Sequence, residues 1–183
     1  MVSANDERLA TAARADVRAF SPLYARYAVP IYRYCAVRLP SREAAEDATS
    51  EIFLRALAGL GSYRGGRFVA WLFQIARSVV ADTYRRTRRQ LPEEAALAIV
   101  DPRPEPGEAL ARRAQAADLR AAIAALPTDE RAVIELQLAG WTGEQMAMAL
   151  GRSIPAIKML RYRALGRLRR HLTADAEKEG MDA

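Results

Sequence analysis

Residues 140–172 read GWTGEQMAMALGRSIPAIKMLRYRALGRLRRHL, and this stretch decides the fold. Two helical patterns lie on either side of Gly151, and Thr142 and Ser153 are residue types that cap helix N-termini. A short helix, a tight turn and a second, basic helix are typical of a helix-turn-helix, whose second helix enters a DNA groove. The same spacing also fits a surface hairpin with a solvated basic face, and spacing alone leaves both interpretations open.

The charge of the second helix favours DNA over the solvated hairpin. No acidic residue occurs from Arg152 to Ala174, whereas a solvated face usually mixes both signs of charge. Cations along one helix neutralise phosphates and release counterions. Four apolar residues at helical spacing are predicted to face the core: Ile157, Leu160, Ala164 and Leu168.

The bulk composition indicates a packed protein with a polyanionic partner. The 183 residues are 51% apolar and carry a net charge of +6. The single Cys35 excludes an internal disulfide and fits a reducing compartment. The first 20 residues carry charges where a signal peptide needs an apolar run, and no apolar run approaches the ~20 residues that cross a bilayer. We therefore predict a cytoplasmic protein without membrane insertion.

The chain is predicted to be all-α, because alanine, leucine and arginine are abundant and period-2 alternation is nearly absent. Residues up to about Asp16 are predicted to be a loose start. A first helix follows, and Pro30 is expected to kink or break it. Ser41 is predicted to cap the second helix, which ends at Gly59 or Gly61. A third helix is predicted from Phe68 to Arg89.

Two small helical domains are predicted, joined by a flexible linker. The segment LPEEAALAIVDPRPEPGEAL, residues 91–110, holds four prolines and several acids. We assign 15–90 to the first domain, 91–113 to the linker and 114–173 to the second, which carries the helix-turn-helix. Thr128 is predicted to cap a helix of the second domain.

The segment GLGSYRGG, residues 59–66, is either a simple connector or a mobile loop that holds an extruded base. It lacks the GxxxxGK[ST] pattern of a phosphate-binding loop. The helix after it combines aromatic residues and arginines, a mixture that suits single-stranded nucleic acid. Trp71 lies on the apolar stripe and is predicted to pack in the core. Phe73 lies off the stripe and is the better candidate for an outside contact.

An enzyme finds little support in the sequence. The one histidine, His171, lies in an arginine-rich tail and is predicted to be solvated, and Cys35 is predicted to pack as a small apolar residue. Metal-ligand spacings such as CxxC and HExxH are absent. We therefore predict no catalytic residues, no metal site and no cofactor.

Four segments in order resemble the extracytoplasmic-function (ECF) group of the sigma-70 family, the promoter-specificity subunits of bacterial RNA polymerase. AAEDATSEIFLRAL resembles the polymerase-docking helix and FVAWLFQIARSVVADTYRRTRR resembles the −10-element helix. LPTDERAVIEL and GEQMAMALGRSIPAIKMLRYRALGRLR resemble the −35-binding domain. The likeness runs from about Ala19 to Leu172. Three departures are Ser50 for the common glutamine, Ser78 for the frequent asparagine, and Met159-Leu160-Arg161 for Ser-Arg-Leu.

The resemblance implies three binding surfaces and no catalysis by the chain itself. Its partners would be core RNA polymerase and promoter DNA, an anti-sigma factor is a further candidate, and the linker would thread toward the RNA exit path. Residues implied to hold the polymerase are Asp47, Glu51, Phe53, Leu54 and Arg55. Residues implied to engage the −10 strand are Ser62, Tyr63, Arg64, Gln74, Arg77, Ser78 and Arg85. Residues implied to read the −35 groove are Thr142, Arg152, Ser153, Lys158, Met159, Tyr162 and Arg163.

Three hypotheses follow, of which the ECF sigma factor leads. A stand-alone helix-turn-helix regulator would bind duplex DNA tightly without polymerase. A small helical enzyme acting on nucleic acid would show turnover by the isolated chain, and the absent acid/base and metal residues argue against it.

Overall fold

The computed structural model describes residues 2–90 and 118–179, and side chains from 4–87 and 118–172. In these ranges every regular element is helical, so the all-α, two-domain prediction is confirmed. The N-terminal helices are α1 (Val2–Ala12), α2 (Ser21–Arg38), α3 (Arg42–Gly59) and α4 (Phe68–Gln90). The C-terminal helices are α5 (118–124), α6 (Thr128–Leu138), α7 (Gly143–Leu150) and α8 (Ile154–Glu179). The predicted linker, 91–113, lies outside the described residues.

The N-terminal helices pack α3 between α2 and α4, with aromatic rings at the centre. Phe20 meets Phe53 and Phe68 edge-on, each at 6.3 Å between ring centroids. The predicted cap of α3 is confirmed, because Ser41 Oγ accepts a hydrogen bond from the Ala44 amide at 3.1 Å. Such a cap satisfies a helix-terminal amide and fixes where α3 begins.

One prediction for the N-terminal half is wrong, and a second is narrowed, because Pro30 was expected to kink or break α2 and only the break is contradicted. The start of the chain is helix α1, anchored by buried Asp6 and Ala10, rather than a loose segment. Pro30 does not break α2, which runs without interruption from Ser21 to Arg38. Its buried face, with Tyr27 and Ile31 on either side of the proline, outweighs the one lost backbone hydrogen bond.

The C-terminal helices form the predicted helix-turn-helix. Thr142 and Gln145 make a reciprocal capping box at the start of α7. Gly151 ends α7 at φ +63°, a conformation that glycine adopts without strain. Ser153 Oγ then accepts from the Ala156 amide at 3.3 Å and opens α8. Thr128 proves to be the first helical residue of α6, whose N-cap is Pro127, so the predicted Thr128 cap is wrong.

The two domains pack against each other in this structure. Helix α2 contacts α6 and α4 contacts α7, so one apolar cluster runs through both domains. At its centre the rings of Phe73 and Trp141 lie 5.7 Å apart, and Trp141 Nε1 donates to the Pro30 carbonyl at 3.2 Å. We call this contact the interdomain interface. A smaller apolar cluster lies between α5, α6 and α8.

Candidate nucleic-acid interface

Helix α8, the second helix of the helix-turn-helix, buries Ile157, Ala164 and Leu168 on one side and exposes the other, as its spacing predicted. Leu160 is half-buried. The seven residues assigned to the −35 groove are all exposed: Thr142, Arg152, Ser153, Lys158, Met159, Tyr162 and Arg163. Helix α8 therefore presents an exposed face that carries cations and, as far as Leu172, no acidic residue, after a short capped turn, and this geometry suits a major groove.

Individual side chains on this face differ in what they offer DNA. Tyr162 and Met159 are 77% and 51% exposed, which is unusual for such large apolar groups and suits contact with a thymine methyl group. Lys158 and Arg163 are exposed cations near the N-terminal part of α8, the part that reaches base edges. Arg152 lies 2.8 Å from Asp129, an exposed ion pair that phosphate can replace.

The face of α4 assigned to the −10 strand is also exposed. Gln74, Arg77, Ser78 and Arg85 recur at spacings of three, four and seven, so they share one side of the helix. Arg85 donates to the partly exposed Asp82 carboxylate at 2.6 Å, a surface ion pair that a phosphate can replace. A cationic and polar stripe beside a glycine loop suits a single strand, whose backbone follows positive charge.

The loop before α4, residues 61–66, is called the capture loop here. Ser62 and Arg64 are exposed, and Gly65 and Gly66 adopt φ of +89° and +88°. Tyr63 is instead 3% exposed, and its ring lies against Phe68 and Trp71, with centroids 6.0 and 5.2 Å away. Burial raises the pKa of Tyr63, and the nearby charge of Glu7 raises it further. Tyr63 thus supports the loop from beneath, and its ring is buried in this structure rather than exposed like Ser62 and Arg64.

Trp71 packs against the core as its position on the apolar stripe predicted, whereas Phe73 is more deeply buried than expected. Trp71 is only half-buried, although it packs on Tyr63 and Phe68. Phe73 is 1% exposed, so the prediction of an outside contact is wrong. Tyr34 of α2 and Trp141 of the other domain cover its ring. An apolar residue off the main stripe of a helix marks a second packing surface, and that was the missed signal.

The face of α3 assigned to the polymerase is an exposed strip with a buried neighbour. Asp47 is exposed and Leu54 is 67% exposed, which leaves a large aliphatic group in water. Glu51 and Arg55 pair at 2.5 Å. Phe53 is 5% exposed and packs on Tyr24 at 4.8 Å, so it shapes this strip from beneath.

Sequence reasoning missed the charged pair at the interdomain interface. Arg38 donates to Glu135 at 2.8 Å, and the Glu135 side chain is only 5% exposed. Burial raises the pKa of Glu135, and Arg38 partly offsets this effect. The signal was an acid inside the apolar run VIEL, where a buried charge needs a partner.

The described residues also bear on a metal site, a membrane-spanning helix and a reactive thiol. Within 2–90 and 118–179, no group of three or more His, Cys, Asp and Glu side chains could hold a metal ion. No helix in the same ranges is long and apolar enough to cross a bilayer. Burial raises the pKa of Cys35 to about 11, which makes this thiol a poor nucleophile.

Comparison with known proteins identifies the family. The sigma-70 region 2 family matches residues 23–90, and the sigma-70 region 4 family matches 116–168. The ECF RNA polymerase sigma factor BldN of Streptomyces coelicolor is 38% identical, over 91% of this chain and 64% of its own length. The ECF RNA polymerase sigma factor EcfG of Rhodopseudomonas palustris is 33% identical, over 85% of this chain and 87% of its own.

A solved structure agrees with these relatives. The structure of CnrH in complex with the cytosolic domain of CnrY aligns with 93% of this chain over 99% of the matched chain, with a TM-score of 0.63 and 26% sequence identity. The chain spans just under two thirds of BldN and most of EcfG. The chain belongs to the ECF group of the sigma-70 family of RNA polymerase sigma factors, which act on DNA in the cell interior.

Proposed function

We propose that this chain binds core RNA polymerase, recognises a −35 and a −10 promoter element, and promotes strand opening at the start of transcription. The observation that supports this proposal most directly is on α8: Ile157, Ala164 and Leu168 are buried on one side, and every residue assigned to the −35 groove is exposed. The region 4 match over 116–168 supports the same assignment. The polymerase forms the RNA bonds, so the chain itself works without catalytic residues, in the cytoplasm where promoter DNA lies.

The work is divided between three surfaces and two domains, 15–90 and 114–173. The strip on α3 around Asp47 and Leu54 docks on the polymerase. The capture loop and the polar stripe of α4 hold the separated −10 strand, and unstacking a base there costs a few kcal/mol that loop and helix contacts offset. Helix α8 reads the −35 duplex. A protein that covers these surfaces would act as an anti-sigma factor, and the similar protein CnrH was solved in complex with another protein, the cytosolic domain of CnrY.

The packed arrangement of the domains is the closed form of the free chain and differs from the promoter-bound form. The names of the two elements place them about 25 base pairs apart, or roughly 85 Å at ~3.4 Å per base pair. Helix α4 touches α7, so the two DNA-binding domains lie within one helix diameter, about 10 Å. The 28 peptide steps from Gln90 to residue 118 reach at most ~90–100 Å when extended. The tether is therefore long enough, but the interdomain interface must open.

The test compares promoter binding with and without core polymerase. A labelled duplex that carries both elements should bind the holoenzyme tightly and the isolated chain poorly, because the closed form cannot span both elements. Tight, sequence-specific binding by the chain alone would support the stand-alone regulator instead. The region 2 match over 23–90 disfavours that alternative. Turnover of nucleic acid by the isolated chain would overturn the non-enzymatic assignment.

A matched pair of variants tests the polymerase surface in the same assay. Leu54→Asp places a charge where a 67% exposed aliphatic group should meet the polymerase, and it should weaken assembly at least tenfold. Val29→Asp changes another exposed aliphatic residue, 55% exposed on α2, and should leave assembly unchanged. Equal assembly by both variants would contradict docking through α3.

A further inference from the structure

Gly66, the last residue of the capture loop, is held at both its amide and its carbonyl group by side chains. The Gly66 amide donates to Glu7 Oε1 at 2.7 Å, and the Tyr63 hydroxyl donates to the Gly66 carbonyl. Gly65 and Gly66 both have positive φ, so the loop adopts a shape that few other residues tolerate. Tyr63 belongs to the loop itself. Glu7 comes from α1, 59 residues earlier in the chain.

Helix α1 is fixed firmly enough to hold this contact. The carboxylate of Asp6 is almost fully buried and accepts hydrogen bonds from the Arg26 guanidinium and the Tyr27 hydroxyl, both on α2. Ala10, one turn later, is fully buried. A buried carboxylate with two donors is strongly favoured over an unpaired one, so Asp6 sets the position of α1 and hence of Glu7.

Glu7 is an unexpected charge at this place. A carboxylate beside a surface that binds nucleic acid repels the phosphates. The exposed Arg64 and Arg67 on the same stretch carry the positive charge that such a surface favours. A negative charge is acceptable here when the carboxylate accepts a hydrogen bond from the loop that binds the strand. Gly66 donates that hydrogen bond, and a Cβ added to Gly65 would come within 3.1 Å of Glu7 Oε1. The carboxylate therefore also disfavours a larger residue than glycine at position 65.

We propose that Glu7 is a positioning residue for the −10 strand: its hydrogen bond to the Gly66 amide sets the capture loop in its base-holding shape before DNA arrives. Helix α1 is then part of the apparatus that opens the promoter. Ordering the loop in advance removes an entropy cost from strand capture, which is how preorganisation strengthens binding. The inference rests on the proposed function, because it assigns the capture loop to the −10 strand.

The experiment uses the full chain with core polymerase and two DNA probes. One is a fork whose −35 element is duplex and whose −10 segment is single-stranded, and the other is the −35 duplex alone. Glu7→Ala should weaken binding of the fork roughly tenfold, as expected for one hydrogen bond to a charged acceptor. It should leave −35 duplex binding and polymerase assembly unchanged. Asn5→Ala, an exposed residue of the same helix, is the matched control and should bind both probes like the wild type.

Rescue by a conservative variant separates positioning from folding. Glu7→Gln keeps an oxygen that accepts from the Gly66 amide, so it should bind the fork within about threefold of wild type. In the free chain, hydrogen exchange at the Gly66 amide should accelerate in Glu7→Ala and stay slow in Glu7→Gln. Wild-type fork binding by Glu7→Ala would overturn the inference, as would an equal loss on both probes in both variants. A wild-type holoenzyme that ignores the −10 segment would instead overturn the proposed function.

Discussion

Replacing Arg38 with methionine should separate the two domains of the free chain. Arg38 Nη1 lies 2.8 Å from Glu135 Oε2, and methionine keeps a long apolar stem but removes the charge. The Glu135 carboxylate would then remain in the interdomain interface without its direct partner, which costs about 3–5 kcal/mol. Arg77 and Arg131 also favour the charged form of Glu135, so we expect the lower end, about 3 kcal/mol.

The cost applies only while the domains are packed together. Opening returns Glu135 to water, so the chain can escape the penalty without unfolding either domain. A change of about 3 kcal/mol shifts the closed-to-open ratio by roughly 100-fold toward the open form. The interdomain interface keeps its other contacts, chiefly Phe73 with Trp141, so we expect the shift to make the open form measurable rather than to abolish the closed form.

Tryptophan emission and small-angle scattering report the opening. The chain has two tryptophans, so Trp71→Phe leaves Trp141 as the only one, and Trp141 is 5% exposed when closed. In this background Arg38→Met should shift the emission of Trp141 to longer wavelength and raise the radius of gyration at pH 7.5. Helical circular dichroism should stay constant, because neither domain unfolds.

The pH dependence provides a second check with a defined sign. Burial raises the pKa of Glu135, so the closed form binds its proton more tightly than the open form. Closure of Arg38→Met should therefore recover as the pH falls through this raised pKa and be lost as the pH rises above it. Arg38→Met/Glu135→Leu should stay closed throughout. A single variant that remains compact at pH 7.5, or a double variant that opens equally, would refute the reasoning.

Three further predictions concern local features. Gly151→Ala should lower the free energy of unfolding by about 1–2 kcal/mol, because the φ of Gly151 is +63°. Gly166→Ala inside α8 should raise the free energy of unfolding by up to about 1 kcal/mol, because an added Cβ meets nothing within 4 Å. Denaturant unfolding measures both changes. Cys35, fully buried with a pKa near 11, should react with a thiol reagent at pH 8 only after denaturant is added, and fast native labelling would contradict its packing. Lys158→Ala should make the negative slope of log affinity against log salt for the −35 duplex shallower by about 1, and the exposed Arg14→Ala should leave it unchanged.

The helix-turn-helix could be predicted because its determinants are local. Thr142, Gly151 and Ser153 each act on backbone groups within four residues, so their roles are readable from spacing. The assignment of α8 to one buried and one exposed side follows from helical periodicity for the same reason. Which bases α8 prefers depends on the DNA, and Met159 and Tyr162 depart from any simple donor and acceptor code.

Features that depend on contacts between residues far apart in the sequence could not be predicted. Phe73 is buried because Trp141 lies on it, 68 positions later, and no periodicity within α4 encodes that contact. Helix α1 is ordered because Asp6 finds donors on α2, which its own composition does not reveal. The position of Glu135 inside an apolar run predicts that it needs a basic partner, but nothing in the sequence selects Arg38 among the 28 lysines and arginines.

Transcription from reconstituted holoenzyme, with start sites mapped, tests the central assignment most directly. Core polymerase plus the chain should initiate at a defined promoter that core polymerase alone does not use. Lys158→Ala/Arg163→Ala should reduce the amount of that transcript because contacts to the −35 element are lost. Gln74→Ala/Arg77→Ala should reduce it because contacts to the −10 element are lost. If both double variants yield wild-type amounts of RNA from the same start site, the assignment of α8 and α4 to the two promoter elements is wrong.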